Sequence, residues 1–238
     1  MKWRKEVFKV IGAVALVCLV ASSAQAVVIT TTGVWDNPVT GNAATAATVN
    51  GEGTDEISWG TPATTGGEQS SYEFNGLTMA DVGNVLDGAL FPLGDFVHNN
   101  FPINNFLFLG TDLTVTVSVP ALSISHDFGP FFFTHTETPN DDDPCDEGGT
   151  QPCPDLVEVP GAAGGIPFTF MGDPYLLILE GFRESPGGPV VPGFLTDENA
   201  VNTATLFARI QLVPEPTTLV LLGLGLLGLG IISRRKKS

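Results

Sequence analysis

The sequence predicts an all-β domain, an antiparallel β-sandwich of jelly-roll-like kind, followed by a C-terminal transmembrane helix. Composition is the first observation behind this. The 238 residues hold 28 Gly, 18 Pro and 16 Phe but only 10 Lys and Arg together. Long amphipathic helices draw on Lys, Glu, Ala, Leu and Arg, and the body has almost no Lys. Periodicity is the second, since several segments alternate apolar and polar residues with period two. The third is punctuation by Gly, Pro and Asn between those segments, as at Pro62 to Gly67 and Gly187-Gly188-Pro189.

Each element rests on its own pattern. Leu113, Val115, Val117 and Val119 alternate with Thr114, Thr116 and Ser118, the signature of a half-buried strand. Leu206, Ala208, Ile210 and Leu212 alternate with Phe207, Arg209 and Gln211, which predicts a last strand leading into the C-terminal segment. Tyr175 to Glu180 is a continuous apolar run short enough for a buried strand. Val27 to Trp35, Ser71 to Phe74 and Phe131 to Thr136 are further strand segments. Leu77 to Leu90 has apolar residues near helical spacing, but Gly83 and Gly88 weaken it, so it reads equally as a short helix or a loop. No internal repeat at a fixed period argues for a solenoid or propeller.

Charge divides the chain sharply. Lys2, Arg4, Lys5 and Lys9 open it, and Arg234, Arg235, Lys236 and Lys237 lie at the other end. Between Val27 and Val213 only Arg183 and Arg209 stand against 24 acidic residues, a formal charge of −22. Such a body is repelled by phosphate backbones, which excludes a nucleic-acid partner. Cations, neutral polymers and proteins remain.

The two ends read as addresses. Residues 1–26 have the form of a signal peptide: a basic start, the apolar run Val10 to Val20, and the small-x-small site Ala24-Gln25-Ala26 that signal peptidase cuts. Residues 27–213 then form one extracytoplasmic domain. At the far end, Pro214-Glu215-Pro216 precedes Thr217 to Ser233, 17 residues or about 26 Å as a helix. That length barely spans a hydrocarbon core of about 30 Å. Gly223, Gly225, Gly228 and Gly230 give it small faces suited to helix contact in a membrane. The basic cluster Arg234, Arg235, Lys236 and Lys237 stays cytoplasmic, leaving the body on the other side of the inner membrane.

The ordered set of Pro214-Glu215-Pro216, a Gly/Leu-rich helix and a basic terminus resembles a PEP-CTERM sorting signal over residues 214–238. The resemblance implies that an exosortase, a membrane-embedded cysteine transpeptidase-like enzyme, recognises and removes the tail. It further implies a Gram-negative producer of extracellular polysaccharide, with the body held in the periplasm before processing. Delivery to the cell surface or the extracellular matrix then follows. No catalytic residue transfers to this chain. Pro214 and Pro216 keep the recognition segment extended, as a processing site needs.

The body is similar to the THxN-type PEP-CTERM proteins in five short elements: Gly33-Val34-Trp35, Ile57 to Gly60, Gln69 to Tyr72, Leu93 to Phe96 and His98 to Ile103. Val97 stands where that family has Thr. Thr134-His135 is a second Thr-His pair, with Glu137 two residues after the His. The resemblance implies no activity.

Little in the body points to chemistry. Cys145 and Cys153 are the cysteines left once the signal peptide with Cys18 is removed; they flank seven residues of an Asp, Gly and Pro-rich loop, and this even count in an exported chain argues for a disulfide over a metal pair. Asp141, Asp142, Asp143, Asp146 and Glu147 crowd the same loop. A solvated tip is the favoured reading. Calcium held by Asp141, Asp143, Asp146 and Glu147 is the alternative, and the only cofactor the sequence brings into view. Cys145 breaks the EF-hand spacing. His98, between Phe96 and Phe101 in an Asn-rich turn, reads as structural, as do His126 and His135. There is no His-Glu-x-x-His and no Gly-x-Ser-x-Gly, and no pair among the 24 acids stands out for glycoside hydrolysis. Most Phe read as core, leaving Trp35, Trp59, Tyr72 and Tyr175 for a sugar-binding face.

The expected protein is therefore not an enzyme. It is a structural or adhesive protein of the cell surface or exopolysaccharide matrix, with a carbohydrate-binding module, calcium-assisted or not, as the alternative.

Overall fold

The structure, a computed structural model, describes residues 28–41, 49–80, 85–104, 107–120, 124–159 and 165–213. Among them fourteen strands form: β1 (Val28–Thr40), β2 (Glu56–Trp59), β3 (Thr61–Pro62), β4 (Ser70–Gly76), β5 (Thr78–Ala80), β6 (Leu90–Asn100) and β7 (Ile103–Asn104). There follow β8 (Phe108–Val119), β9 (Ile124–Thr136), β10 (Asp155–Glu158), β11 (Ile166–Phe170), β12 (Asp173–Arg183), β13 (Gly193–Thr196) and β14 (Ala200–Leu212). Two six-stranded antiparallel sheets, ordered β13-β10-β9-β8-β1-β5 and β11-β12-β14-β6-β4-β2, face each other as a curled sandwich, and β3 pairs with β7 alone.

The predicted strand segments lie where the alternation put them. Leu113 and Val115 of β8 are buried while Thr114 and Thr116 are half-exposed. In β14, Ala204, Leu206, Ala208 and Ile210 point inward. Phe207, on the opposite face, is also covered, because the Arg183 guanidinium lies 3.9 Å above its ring. Leu77 to Leu90 makes no α-helix among its described residues. It supplies the short strand β5 and a 3₁₀ turn at Val85–Asp87, the glycines having removed the helical alternative.

Aromatic rings fill the space between the sheets. Trp35 of β1 meets Phe133 of β9 edge-on at 5.1 Å, and Phe96 and Tyr72 of the opposite sheet at 6.0 and 5.5 Å. Trp59 stacks on Phe108 at 4.0 Å. Burying one such ring contributes about 2–3 kcal/mol of hydrophobic stabilisation. Two glycines let Phe74 fit between the sheets: a Cβ at Gly33 would lie 2.5 Å from Phe74 Cδ1, and one at Gly94 closer still to Cζ. Trp35, Trp59 and Tyr72, the rings expected for a sugar-binding face, have no exposed surface and belong to this core.

Candidate functional site

One end of the sandwich interior is polar. The strand period of two sends His98 and Asn100 of β6 inward and leaves Asn99 outside, where its Nδ2 donates to Ser71 Oγ at 2.9 Å. His98 therefore sits in a strand and not in a turn, because β6 runs on through Asn100 between β4 and β14. Both inward side chains reach Thr196 of β13, in the opposite sheet. His98 Nδ1 lies 2.9 Å from Thr196 Oγ1, and Asn100 Nδ2 donates to Thr196 O at 3.1 Å. Thr196 Oγ1 donates its single proton to Asp155 O at 3.2 Å, so it accepts from His98 Nδ1–H. His98 Nε2 then carries the lone pair, and it has no hydrogen-bond partner among the described residues.

His135 stands beside His98, ring to ring at 5.3 Å. His135 lies near the end of β9 and Glu137 just beyond it, and Asp155 arrives from β10, which pairs with β9 through Val157↔His135. Tyr72 OH lies 2.5 Å from His135 Nδ1, Glu137 Oε2 lies 3.2 Å from Nε2, and Asp155 Oδ2 lies 3.8 Å from Nε2. Thr138 N–H donates to Asp155 Oδ1 at 2.8 Å, while Asp155 Oδ2 has no hydrogen-bond partner. Glu198, in the turn between β13 and β14, is 8% exposed and its Oε2 is likewise unpartnered.

Desolvation dominates the acid–base behaviour of this cluster. Burial raises the Glu137 carboxyl to about 7. Burial, then the neighbouring Glu137 charge, raises Asp155 to about 7 as well. Glu198 is raised by burial, against hydrogen bonds from Asn140 and the Asn199 backbone. Burial lowers His135 to about 4 against the pull of Asp155 and Glu198. His98 is lowered by burial and then by His135. Tyr72 is raised by burial and then by the charges of Asp155 and Glu137. The imidazoles are thus neutral at pH 7, and the carboxyls are poised to release protons.

The Cys145–Cys153 disulfide is formed and closes the acidic loop beside the cluster. Thr138 Oγ1 fastens the base of that loop to the carbonyls of Cys153 and Pro154 at 3.1 and 3.0 Å. Asp141, Asp143, Asp146 and Glu147 are exposed on it. Gln151 Nε2 braces the loop by donating to the carbonyls of Asp141 and Asp142. Among the described residues, only His135, Glu137 and Asp155 bring ligand atoms of three such side chains within 4.8 Å of one another. His126 packs against Phe128 at 4.6 Å, outside this group.

The outer face of the second sheet carries a shallow groove of about 430 Å³, lined by Glu56, Gln69, Ser71, Asn99, Phe101 and Val201 among others. Of its lining residues, Ser71 and Asn99 adjoin Tyr72 and His98 on β4 and β6. The two arginines of the body lie elsewhere: Arg209 Nε is 2.5 Å from Glu180, and Arg183 covers Phe207.

The sequence alone reads His135 as structural. The alternation His135-Thr136-Glu137 was the one local signal that two polar groups share a face. Asp155 and Glu198 join them only through strand pairing and the β13–β14 turn, which no local spacing reveals. The signal cleavage residues Ala24 and Ala26, Pro214-Glu215-Pro216, the helix from Thr217 and the cluster Arg234 to Lys237 lie outside the described residues. Among the described residues no helix is long and apolar enough to cross a membrane. β14 ends at Leu212, and Val213 N–H still donates to Pro174 O at 2.9 Å. The folded body therefore reaches the very start of the Pro-Glu-Pro segment. Compared with curated proteins, the chain finds no match. Residues 212–237 match the family model of the PEP-CTERM protein-sorting motif, which implies an exported, membrane-sorted protein processed by exosortase.

Proposed function

We propose that this protein is a non-enzymatic structural or adhesive component of the cell surface or exopolysaccharide matrix, delivered there as an exosortase substrate. The reading divides the chain into a signal peptide at 1–26, a jelly-roll-like sandwich body at 27–213 of THxN type, and a sorting tail at 214–238. Signal peptidase acts first. The helix from Thr217 to Ser233 and the basic cluster Arg234 to Lys237 then hold the body on the periplasmic side of the inner membrane until the tail is removed. The observation that carries the proposal is the junction itself. A sandwich fastened through Val213 is followed directly by the matched motif, so a rigid body is attached to a disposable tail. A non-enzymatic role is supported by the use of Tyr72, His98 and His135 in the interior, where each is at most 2% exposed.

Intact mass of the exported protein from cells with and without an exosortase tests this. A body starting at Val27 and ending near Pro214-Glu215-Pro216 only when the enzyme is present is the expected result. Retention of Thr217 to Ser238 in both strains would reduce the tail to a membrane anchor.

The outer groove favours one second reading, a carbohydrate-binding module. Its side chains offer hydrogen bonds from Ser71 and Asn99 beside the apolar faces of Phe101 and Val201. Retention of the protein on immobilised polysaccharide, and its loss on Phe101→Ala, would support that reading. Loss on chelation, restored by calcium but not in Asp141→Asn/Asp143→Asn, would assign the assistance to the acidic loop.

A further inference from the structure

We propose that His135, Glu137 and Asp155 form a binding site for a zinc-class divalent cation that ties β9 and β10 together, with the Glu198 carboxylate of the β13–β14 turn acting on it by charge. His135 Nε2, Glu137 Oε2 and Asp155 Oδ2 already converge, with 3.2 and 3.8 Å from the imidazole nitrogen to the two carboxylates. A tetrahedral zinc with bonds of about 2.0–2.1 Å spaces its ligands about 3.3 Å apart, so small side-chain shifts close the shell. Asp155 Oδ2 is the independent pointer. It is fully buried, lacks any hydrogen-bond partner, and faces the imidazole, while its sister oxygen is held by Thr138 N–H. Glu198 Oε2 is a second buried, unpartnered oxygen, and the charge of Glu198 acts on both Asp155 and His135.

Buried carboxylates need a counter-charge, and this chain does not provide one nearby. The only cationic side chains of the body are Arg183 and Arg209, engaged with Phe207 and Glu180. A bound cation supplies what the sequence withholds. The imidazole is oriented for the task by Tyr72: with Nδ1–H donating to the phenol oxygen, Nε2 presents its lone pair to the metal. A ligand set of one imidazole nitrogen and two carboxylates selects zinc and its first-row neighbours over calcium, which prefers six to eight oxygens. Glu137, with 22% of its side chain exposed, is the side from which the ion enters. The site is distinct from the exposed loop of Asp141, Asp143, Asp146 and Glu147, and it does not depend on the surface role proposed above.

The full chain, purified in detergent with its disulfide intact and stripped with a chelator, is titrated with zinc chloride and, separately, cobalt chloride. One equivalent of zinc bound, a raised melting temperature with zinc but not magnesium, and a visible cobalt absorption band are expected. Asp155→Asn should abolish binding. Glu137→Gln, at the rim, should keep the native circular dichroism and weaken binding at least about tenfold, as loss of a metal partner does. The loop variant Asp141→Asn/Asp143→Asn/Asp146→Asn should bind as the parent does. Natively folded parent protein that takes up no stoichiometric zinc overturns the proposal, as does binding unchanged by Glu137→Gln and Glu198→Gln. So does binding that disappears with the loop variant.

Discussion

His98 of β6 and Thr196 of β13 are joined across the two sheets by a hydrogen bond of 2.9 Å between Nδ1 and Oγ1. Asn100, two residues further on the same strand face, reaches the carbonyl of the same threonine. The His-x-Asn segment is therefore a clasp on one residue of the facing sheet. Its position is interior: Trp59 lies 5.7 Å away in a stacked arrangement, and the ring has no exposed surface.

Removing the hydroxyl should show the strength of this clasp. Thr196→Val leaves His98 Nδ1–H buried without an acceptor and also deletes the bond to Asp155 O. An unsatisfied buried donor costs about 1–3 kcal/mol. At about 2–4 °C per kcal/mol for a body of this size, the melting temperature should fall by several degrees. Thr196→Ser keeps the oxygen and should recover most of the loss. Equal melting of all three proteins would show that the contact carries no stability.

Phe74 and Gly94 form a second coupled pair. A methyl group at Gly94 would overlap the Phe74 ring and approach Asn75 O at 2.9 Å. Overpacking of this kind costs about 1–3 kcal/mol. Gly94→Ala should destabilise the protein, and Phe74→Leu should be less harmful in that background than alone. A double-mutant cycle by urea unfolding measures the coupling, and strictly additive effects would contradict the close approach.

The disulfide closes a short loop, eight residues from Cys145 to Cys153. Loop-closure entropy assigns it about 2–3 kcal/mol. Cys145→Ser/Cys153→Ser should lower the urea midpoint accordingly while leaving the far-ultraviolet dichroism of the sheets unchanged. An unchanged midpoint would place the loop outside the cooperative unit.

The strands were legible in the sequence because one buried face imposes period two, as in Leu113 to Val119 and Leu206 to Ile210. The Cys145–Cys153 pairing was legible because these two cysteines alone remain when Cys18 is assigned to the signal peptide. The polar interior was not, because it is assembled by register between distant strands. His98 lies 98 residues from Thr196 in the chain, and Tyr72 lies 63 from His135. Local composition also misled at two points. The asparagines around His98 imitate a turn, although the chain there is extended between β4 and β14. The tryptophans look like scarce surface rings, although both described ones are wholly buried.

Without divalent cations, Glu137 should make the protein lose stability as the pH rises. Its carboxyl is raised from 4.5 to about 7, so the folded chain holds this proton more tightly than the unfolded one. That contribution is fully present below pH 4.5 and is lost as the pH climbs through 7. Asp155, raised from 3.8 to about 7, acts in the same direction. His135, lowered from 6.5 to about 4, opposes them: its contribution is present above 6.5 and is lost on acidification through 4. These opposed slopes mask one another in the parent protein, and Glu137→Gln isolates one of them, since its amide N–H can still donate to the His135 Nε2 lone pair. In chelator at pH 8 the variant should therefore be more stable than the parent, by at most about 3 kcal/mol. The difference should vanish near pH 4, where the parent carboxyl is protonated in both states. Thermal unfolding at the two pH values decides it. A variant equal to or weaker than the parent at pH 8 in chelator would mean that the Glu137 charge is already compensated within the protein.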